Sequence, residues 1–266
     1  MQRGGKVNLE DRPIGFFDSG LGGISVLKET TKILPKEDYI YFGDSKNAPY
    51  GIRSVEEVKK LTFNAVDYLI KQNVKALVIA CNTATSAAIS ELREKYSRSM
   101  PVIGIEPALK PAVEYKRKGK IIIMATPMTL SEAKFNNLMA NYRVRAEITP
   151  LPCPGLVELI EKGIIEGEEV NQYLYKKIEP IKENGIAAIV LGCTHYPFIK
   201  KELSIVLGDD VPIIDGSKGT AKQLKRQLLK YNIISKRKEP GKIKIVNSLK
   251  DNAIVNLGYK FLNLNE

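Results

Sequence analysis

Two cysteines stand in matched settings, Cys81 in ALVIACNTAT (76–85) and Cys193 in AAIVLGCTHYP (187–197). In each, a dry β-type run ends at or just before a thiol, and small polar residues follow. After Cys81, the residues Asn82, Thr83, Thr85 and Ser86 read as the start of a helix that carries Ala87, Ala88 and Ile89. A thiol buried only for packing needs no such junction. A thiol meant to ionise gains from it, because the unpaired N–H groups of a helix N-terminus stabilise a thiolate. His195, the single histidine, lies two residues beyond Cys193. A lone histidine is often only a hydrogen-bonded structural residue, but its place beside a strand-end cysteine favours a proton-transfer role near neutral pH.

Three further stretches fall at strand ends. In FFDSGLGG (16–23) the glycines allow a tight turn into a helix beginning around Ile24, whose N–H groups can hold an anion. The pattern is neither G-x-G-x-x-G nor a P-loop, and Asp18 at its front repels a phosphate. A small zwitterion fits better, its carboxylate at the helix end and its ammonium facing Asp18; alternatively Asp18 assists a thiol, or the stretch is only a capped turn. GDSKNAPYG (43–51) brings Tyr50 and Gly51 to the same sheet edge, and ATPMTL (125–130) adds Thr126 and Thr129. Cys153, between two prolines in PCPG, lies outside this pattern and reads as structural or lining. Three cysteines and one histidine equal a Cys₃His zinc set in number, but there is no C-x-x-C pair and the ligands come from distant segments, so no metal is expected.

The elements that must hold these residues alternate. Strands are expected at 13–17, 38–42, 76–80, 101–105, 120–125, 144–149, 187–191, 211–214 and 242–246, with helices at 54–72, 83–96, 131–141 and 168–184 between them. Alternation of this kind predicts an α/β fold with mostly parallel sheets, in which active groups gather at the carboxyl ends of strands. The second half partly repeats the first: KQNVKALVIACNT (71–83) aligns with KENGIAAIVLGCTH (182–195), and VIGIEP (102–107) with PIIDGS (212–217). The repeat suggests two related α/β domains, each offering one cysteine.

Bulk properties narrow the class. At 266 residues and 44% hydrophobic, the chain can bury a sizeable core. Its net charge of +11 invites a nucleic-acid reading, but the densest basic runs, 116–120 and 236–238, sit in expected loops without interleaved aromatics. A lysine-rich solvated surface that attracts small anions is the plainer account. No export leader is expected from the polar residues 1–12, no run reaches the roughly 20 apolar residues that span a bilayer, and three unpaired cysteines suit a reduced, cytoplasmic protein.

GFFDSGLGG, GDSKNAPYG, CNTATS and GCTHYP, in this order, resemble the motifs of the glutamate racemases in the aspartate/glutamate racemase superfamily, over about residues 13 to 262. The resemblance implies two α/β domains with the active site in the cleft between them. The first is discontinuous, 1–103 plus 217–266, because the chain crosses back; the second is 104–216. It further implies interconversion of L- and D-glutamate without a cofactor, supplying D-glutamate for peptidoglycan. Cys81 and Cys193 fall on the catalytic cysteines, with Asp18 assisting Cys81 and His195 assisting Cys193. Asp18, Ser19, Tyr50, Gly51, Asn82, Thr83, Thr126, Thr194 and His195 fall on substrate contacts. A homo-oligomer, a dimer above all, with glutamate as its small-molecule partner and neither nucleic acid nor membrane, completes the expectation. The segment 151–163 departs from the family pattern at Gly155 and Glu158.

Inverting an α-carbon requires removing a proton on one face and returning one on the other, which two facing thiols do if one is thiolate. Aspartate as substrate differs by one methylene, which sequence does not measure. A pure binding protein needs no second cysteine, and a thiol hydrolase built on Cys193 and His195 leaves Cys81 unexplained.

Overall fold

Short runs rich in β-branched and aromatic residues form nine strands among the described residues, the central ones buried along nearly their whole length and the edge strands less so: β1 (Ile14–Asp18), β2 (Tyr39–Gly43), β3 (Ala76–Ile79), β4 (Val102–Gly104), β5 (Lys120–Ala125), β6 (Ile148–Pro152), β7 (Ile186–Leu191), β8 (Ile213–Asp215) and β9 (Ile243–Asn247). The computed structural model describes residues 8–115, 117–182, 185–208 and 210–264. Part of the stretch 1–12, Lys116 of the basic run and the last two residues of the expected helix 168–184 lie outside the described residues.

The strands make two sheets, ordered β4-β3-β1-β2-β9 and β6-β5-β7-β8, with every pairing parallel. β9 pairs with β2, so the chain returns to the first sheet after completing the second. Parallel strands need helical crossovers that cover both faces, and this is why the central strands read as unbroken apolar runs. The helices are α1 (Ile24–Ile33), α2 (Val55–Lys71), α3 (Asn82–Tyr96), α4 (Leu109–Glu114), α5 (Pro127–Ser131), α6 (Ala133–Arg143), α7 (Leu156–Glu161), α8 (Glu168–Ile178), α9 (Lys200–Leu207), α10 (Ser217–Lys230) and α11 (Asn252–Leu262). None among the described residues is long and apolar enough to cross a membrane.

α2 shows how local signals and packing agree. Ser54 accepts the Glu57 N–H while the Glu57 carboxylate accepts the Ser54 N–H, a capping box that fixes the helix start. Val58, Thr62, Ala65, Val66 and Leu69 then form one buried stripe, and each large apolar side chain in it contributes about 1.5–3 kcal/mol. That stripe packs with Phe17, Leu77 and Ile79, while the alternate strand residues Phe16 and Val78 face the opposite core. The opposite core is continuous between the sheets, joining Phe16, Ile24 and Val78 to Ile122, Leu156 and Leu191.

One expected strand is displaced. The run expected at 144–149 pairs only from Ile148, and continues to Pro152. Pro150 and Pro152 cannot donate to a ladder, but β6 is an edge, where a missing N–H on the open side costs no ladder bond. The helix expected at 131–141 likewise begins later, at Ala133.

Candidate active site

In each sheet the chain turns one way after its first strand and then crosses to the other side of it. β1 is flanked by β2 and β3, and β5 by β6 and β7. This reversal opens a crevice at the carboxyl ends of the strands. Asp18 ends β1 and Cys81 follows β3; Thr126 follows β5 and Cys193 follows β7. The two crevices meet in one small enclosed cavity of about 10 Å³, lined by Cys81 and Cys193 together with Ser19, Tyr50, Gly51, Asn82, Thr83, Thr126, Thr194 and His195, and also by Pro49 and Val157. That volume is about the room one water molecule needs, so an amino acid enters only when the two crevices part.

Cys81 is the N-cap of α3, and its Sγ accepts the Ala84 N–H at 3.4 Å. Its thiol points at Ser19 Oγ, 3.5 Å away. The helix terminus was expected to ionise this thiol. Instead, burial and the nearby Asp18 carboxylate outweigh the two hydrogen bonds and push Cys81 up to about 12, so it rests as a thiol.

Asp18 is wholly buried, and its carboxylate accepts the Gly20 N–H at 2.9 Å and the Thr194 hydroxyl at 2.9 Å. The residue expected to serve Cys81 directly is thus hydrogen-bonded to the loop of the other cysteine. Its influence on Cys81 is through its charge. Burial holds the Asp18 carboxyl above its usual range.

Cys193 Sγ lies 3.7 Å from His195 Nδ1, and His195 Nε2 lies 2.6 Å from Glu161 Oε1. Burial favours the neutral ring, yet the contacts with Cys193 and Glu161 prevail and hold His195 well above the usual histidine range. The Gly22 N–H also points at Nε2, at 3.2 Å, a contact suited to a neutral ring. The shorter contact to a carboxylate assigns the proton to Nε2.

Polar side chains complete the lining. Thr83, Thr126 and Thr129 form a ring of hydroxyls, with oxygens 2.9 to 3.2 Å apart, that joins the start of α3 to the start of α5. The buried Asn82 Oδ1 has no hydrogen-bond partner, which suits an acceptor reserved for an ammonium or hydroxyl. A Cβ on Gly51 would lie 2.4 Å from Thr126 Cβ, so the two loops meet there only because residue 51 has no side chain. Tyr50 donates its hydroxyl to Asp44 Oδ2 at 2.7 Å. Cys153 lies outside the lining; its thiol donates to Leu151 O, and burial pushes it up to about 12.

Two residues of the arrangement were not singled out from the sequence. Asp44 orders the 44–50 loop through Asn47 and Tyr50. Glu161 comes from the segment that departed from the family pattern. Gly155 is explained by its φ of 87°, open to glycine at the start of α7, while Glu158 makes no contact with the cavity. The available signal for Glu161 was its phase: it stands four residues after Val157 on the apolar face of α7.

Comparison with known proteins agrees with this geometry. The model of the Asp/Glu/Hydantoin racemase family matches residues 22–224. A glutamate racemase of Clostridium kluyveri is 69% identical over 96% of this chain and 99% of the relative, and one of Clostridium acetobutylicum is 65% identical over 97% and 100%. The crystal structure of glutamate racemase from Francisella tularensis in complex with D-glutamate superposes with a TM-score of 0.82 at 31% identity, covering 96% of this chain and 95% of that one. The chain belongs to the Asp/Glu/hydantoin racemase family.

Proposed function

We propose that this protein is an isomerase that interconverts L- and D-glutamate without a cofactor, and that in the cell it supplies D-glutamate for peptidoglycan. The observation that carries the reading is the convergence of Cys81 and Cys193, which follow strands of two different sheets, on one cavity whose lining also includes His195, Asn82 and several hydroxyl side chains. Glutamate as substrate is supported by the glutamate racemases that match nearly the whole chain.

The reaction needs one thiolate and one thiol. His195 Nδ1 lies against Cys193 Sγ and Cys81 rests protonated, so we take Cys193 as the base and Cys81 as the acid. Cys193 takes the α-proton of L-glutamate, leaving a carbanion, and the Cys81 thiol returns a proton to the opposite face. In the reverse direction the roles exchange. The α-proton is far less acidic than a thiol. Water exclusion in the closed cleft and fixed donors around the substrate carboxylate, with Asn82, Thr83 and Thr126 as candidates, carry much of the barrier reduction. Opening and closing of the cleft is part of the cycle.

The same proposal takes the two sheets as cores of two domains, 1–103 with 217–266 and 104–216, supported by the return of β9 to the first sheet. A cytoplasmic homodimer belongs to it too, and sedimentation analysis reads out the assembly.

The test is racemisation of L-glutamate in deuterated water without added cofactor, with aspartate as the competing substrate. At low conversion the D product carries solvent deuterium at Cα while the remaining L substrate stays protiated, because the far thiol has exchanged with solvent. Deuterium in the unreacted L pool, or protium kept in the D product, excludes the two-thiol route.

A further inference from the structure

The carboxylate of Glu161 belongs to α7 of the second sheet's half, yet most of its partners lie in the first. Oε1 accepts the Leu21 N–H at 2.5 Å, and Oε2 accepts the Ser45 hydroxyl at 2.9 Å. Ser45 Oγ in turn accepts the side-chain N–H of Asn247 at 2.8 Å, and Asn247 ends β9, in the returning C-terminal segment. The seat is shaped for the carboxylate: a Cβ on Gly20 would lie 2.2 Å from Glu161 Oε1. On its other side Glu161 holds His195, which holds Cys193. A continuous chain of polar contacts therefore runs from Asn247 through Ser45, Glu161 and His195 to one thiol, and it crosses the cleft only at Glu161.

We propose that Ser45 and Asn247 are positioning residues that act through Glu161, so that closing the cleft is what seats His195 against Cys193.

When the halves part, Glu161 loses the Leu21 amide and the Ser45 hydroxyl, because both belong to the opposite side. The carboxylate is then free to leave His195. The groups that act on His195 are Cys193 from its own loop, Glu161 from α7 and Asp18 from β1. Burial alone disfavours a charged Glu161, and contact with His195, the Leu21 amide and the Ser45 hydroxyl reverses this, holding the carboxyl below its usual range. The device makes proton abstraction conditional on closure, which spares the reactive pair from water between turnovers. Ser45 and Asn247 do not line the cavity, so their effect is transmitted.

This inference rests on the proposed racemase reading. The test measures kcat/KM for both glutamate enantiomers against pH in Ser45→Ala, Ser45→Thr, Asn247→Ala and Glu161→Gln enzymes. Because enantiomers have equal free energy, each variant must lose kcat/KM equally in the two directions. Ser45→Ala is expected to lose about tenfold, the scale of one hydrogen bond to a charged group, and Asn247→Ala about threefold. Ser45→Thr is expected to recover most of the loss. Glu161→Gln is expected to lose about a hundredfold, as for an impaired acid–base group. The alkaline limb of the profile is expected to move to lower pH in Glu161→Gln, and in the same direction but less in Ser45→Ala. The reason is that a histidine deprived of its counter-charge loses its proton sooner. Loss of rate with an unmoved profile, or wild-type rates in Ser45→Ala, overturns the inference. A wild-type protein that does not racemise glutamate overturns the function instead.

Discussion

Asp18 and Thr194 are hydrogen-bonded at 2.9 Å across the cleft, tying the end of β1 to the residue directly after the second cysteine. The bond places one buried carboxylate under the influence of both halves. His195 draws it down, Glu161 pushes it up, and burial dominates, leaving it above the ordinary aspartate range.

That balance predicts opposite effects of Asp18→Asn on stability and activity. A carboxyl whose folded pKa is raised costs nothing below the unfolded value of about 3.9; the cost grows as pH rises from there and is complete above the folded pKa. Asp18→Asn is therefore expected to raise the thermal midpoint at pH 7 to 8, with the gain vanishing below about pH 4, while racemisation falls. Calorimetry across pH, beside rate measurements, checks both. A midpoint lowered at neutral pH contradicts the burial argument.

Of the three buried thiols, two line the cavity and one does not. Cys81→Ala and Cys193→Ala are each expected to abolish racemisation, by at least about a thousandfold. Cys153→Ala is expected to keep most of the activity and to lose about 1 kcal/mol of stability for the small cavity created. Turnover of the three purified, folded variants decides the point, and an inactive Cys153→Ala beside an active Cys193→Ala reverses the assignment.

Gly51→Ala places a methyl group 2.4 Å from Thr126 Cβ. The loops can then meet only if they shift apart. A displacement of about 1 Å costs on the order of 10² in rate, so kcat/KM is expected to fall by about that factor with little change in thermal midpoint. Kinetics at unaltered stability is the signature; wild-type kinetics refutes the close approach.

At the other end of β3 the effects separate in the opposite way. Lys75 Nζ lies 2.5 Å from Glu37 Oε2 with both side chains almost wholly buried, and Glu37 also accepts the Ser235 N–H at 2.8 Å. Lys75→Met strands the Glu37 charge and is expected to cost about 3–5 kcal/mol, read from urea unfolding, with the folded fraction as active as wild type. Adding Glu37→Gln is expected to return part of the loss, and a double variant no better than Lys75→Met counts against an uncompensated charge.

The local sequence determined the elements and the thiol positions. Short β-rich apolar runs such as 76–80 and 187–191, bounded by polar residues, read as strands covered on both faces, and the polar residues after each place Cys81 and Cys193 at carboxyl ends, because those rules act within a few residues. The ordered motifs also pointed to the racemase family. Tertiary structure decided what no local rule contains. Pro150 and Pro152 are tolerated in β6 because its position at an edge is a property of the whole sheet. Asp18 reaches Thr194 rather than Cys81 because its neighbours come from the facing half. The helix start after Cys81 favours a thiolate locally, yet burial and the charge of Asp18 win. Glu161 lies where no helix was expected from the sequence, and it became part of the site when folding set it between Leu21, Ser45 and His195. Hydrogen-bond partners and desolvation are set by residues distant in the chain, and only the assembled fold brings these together.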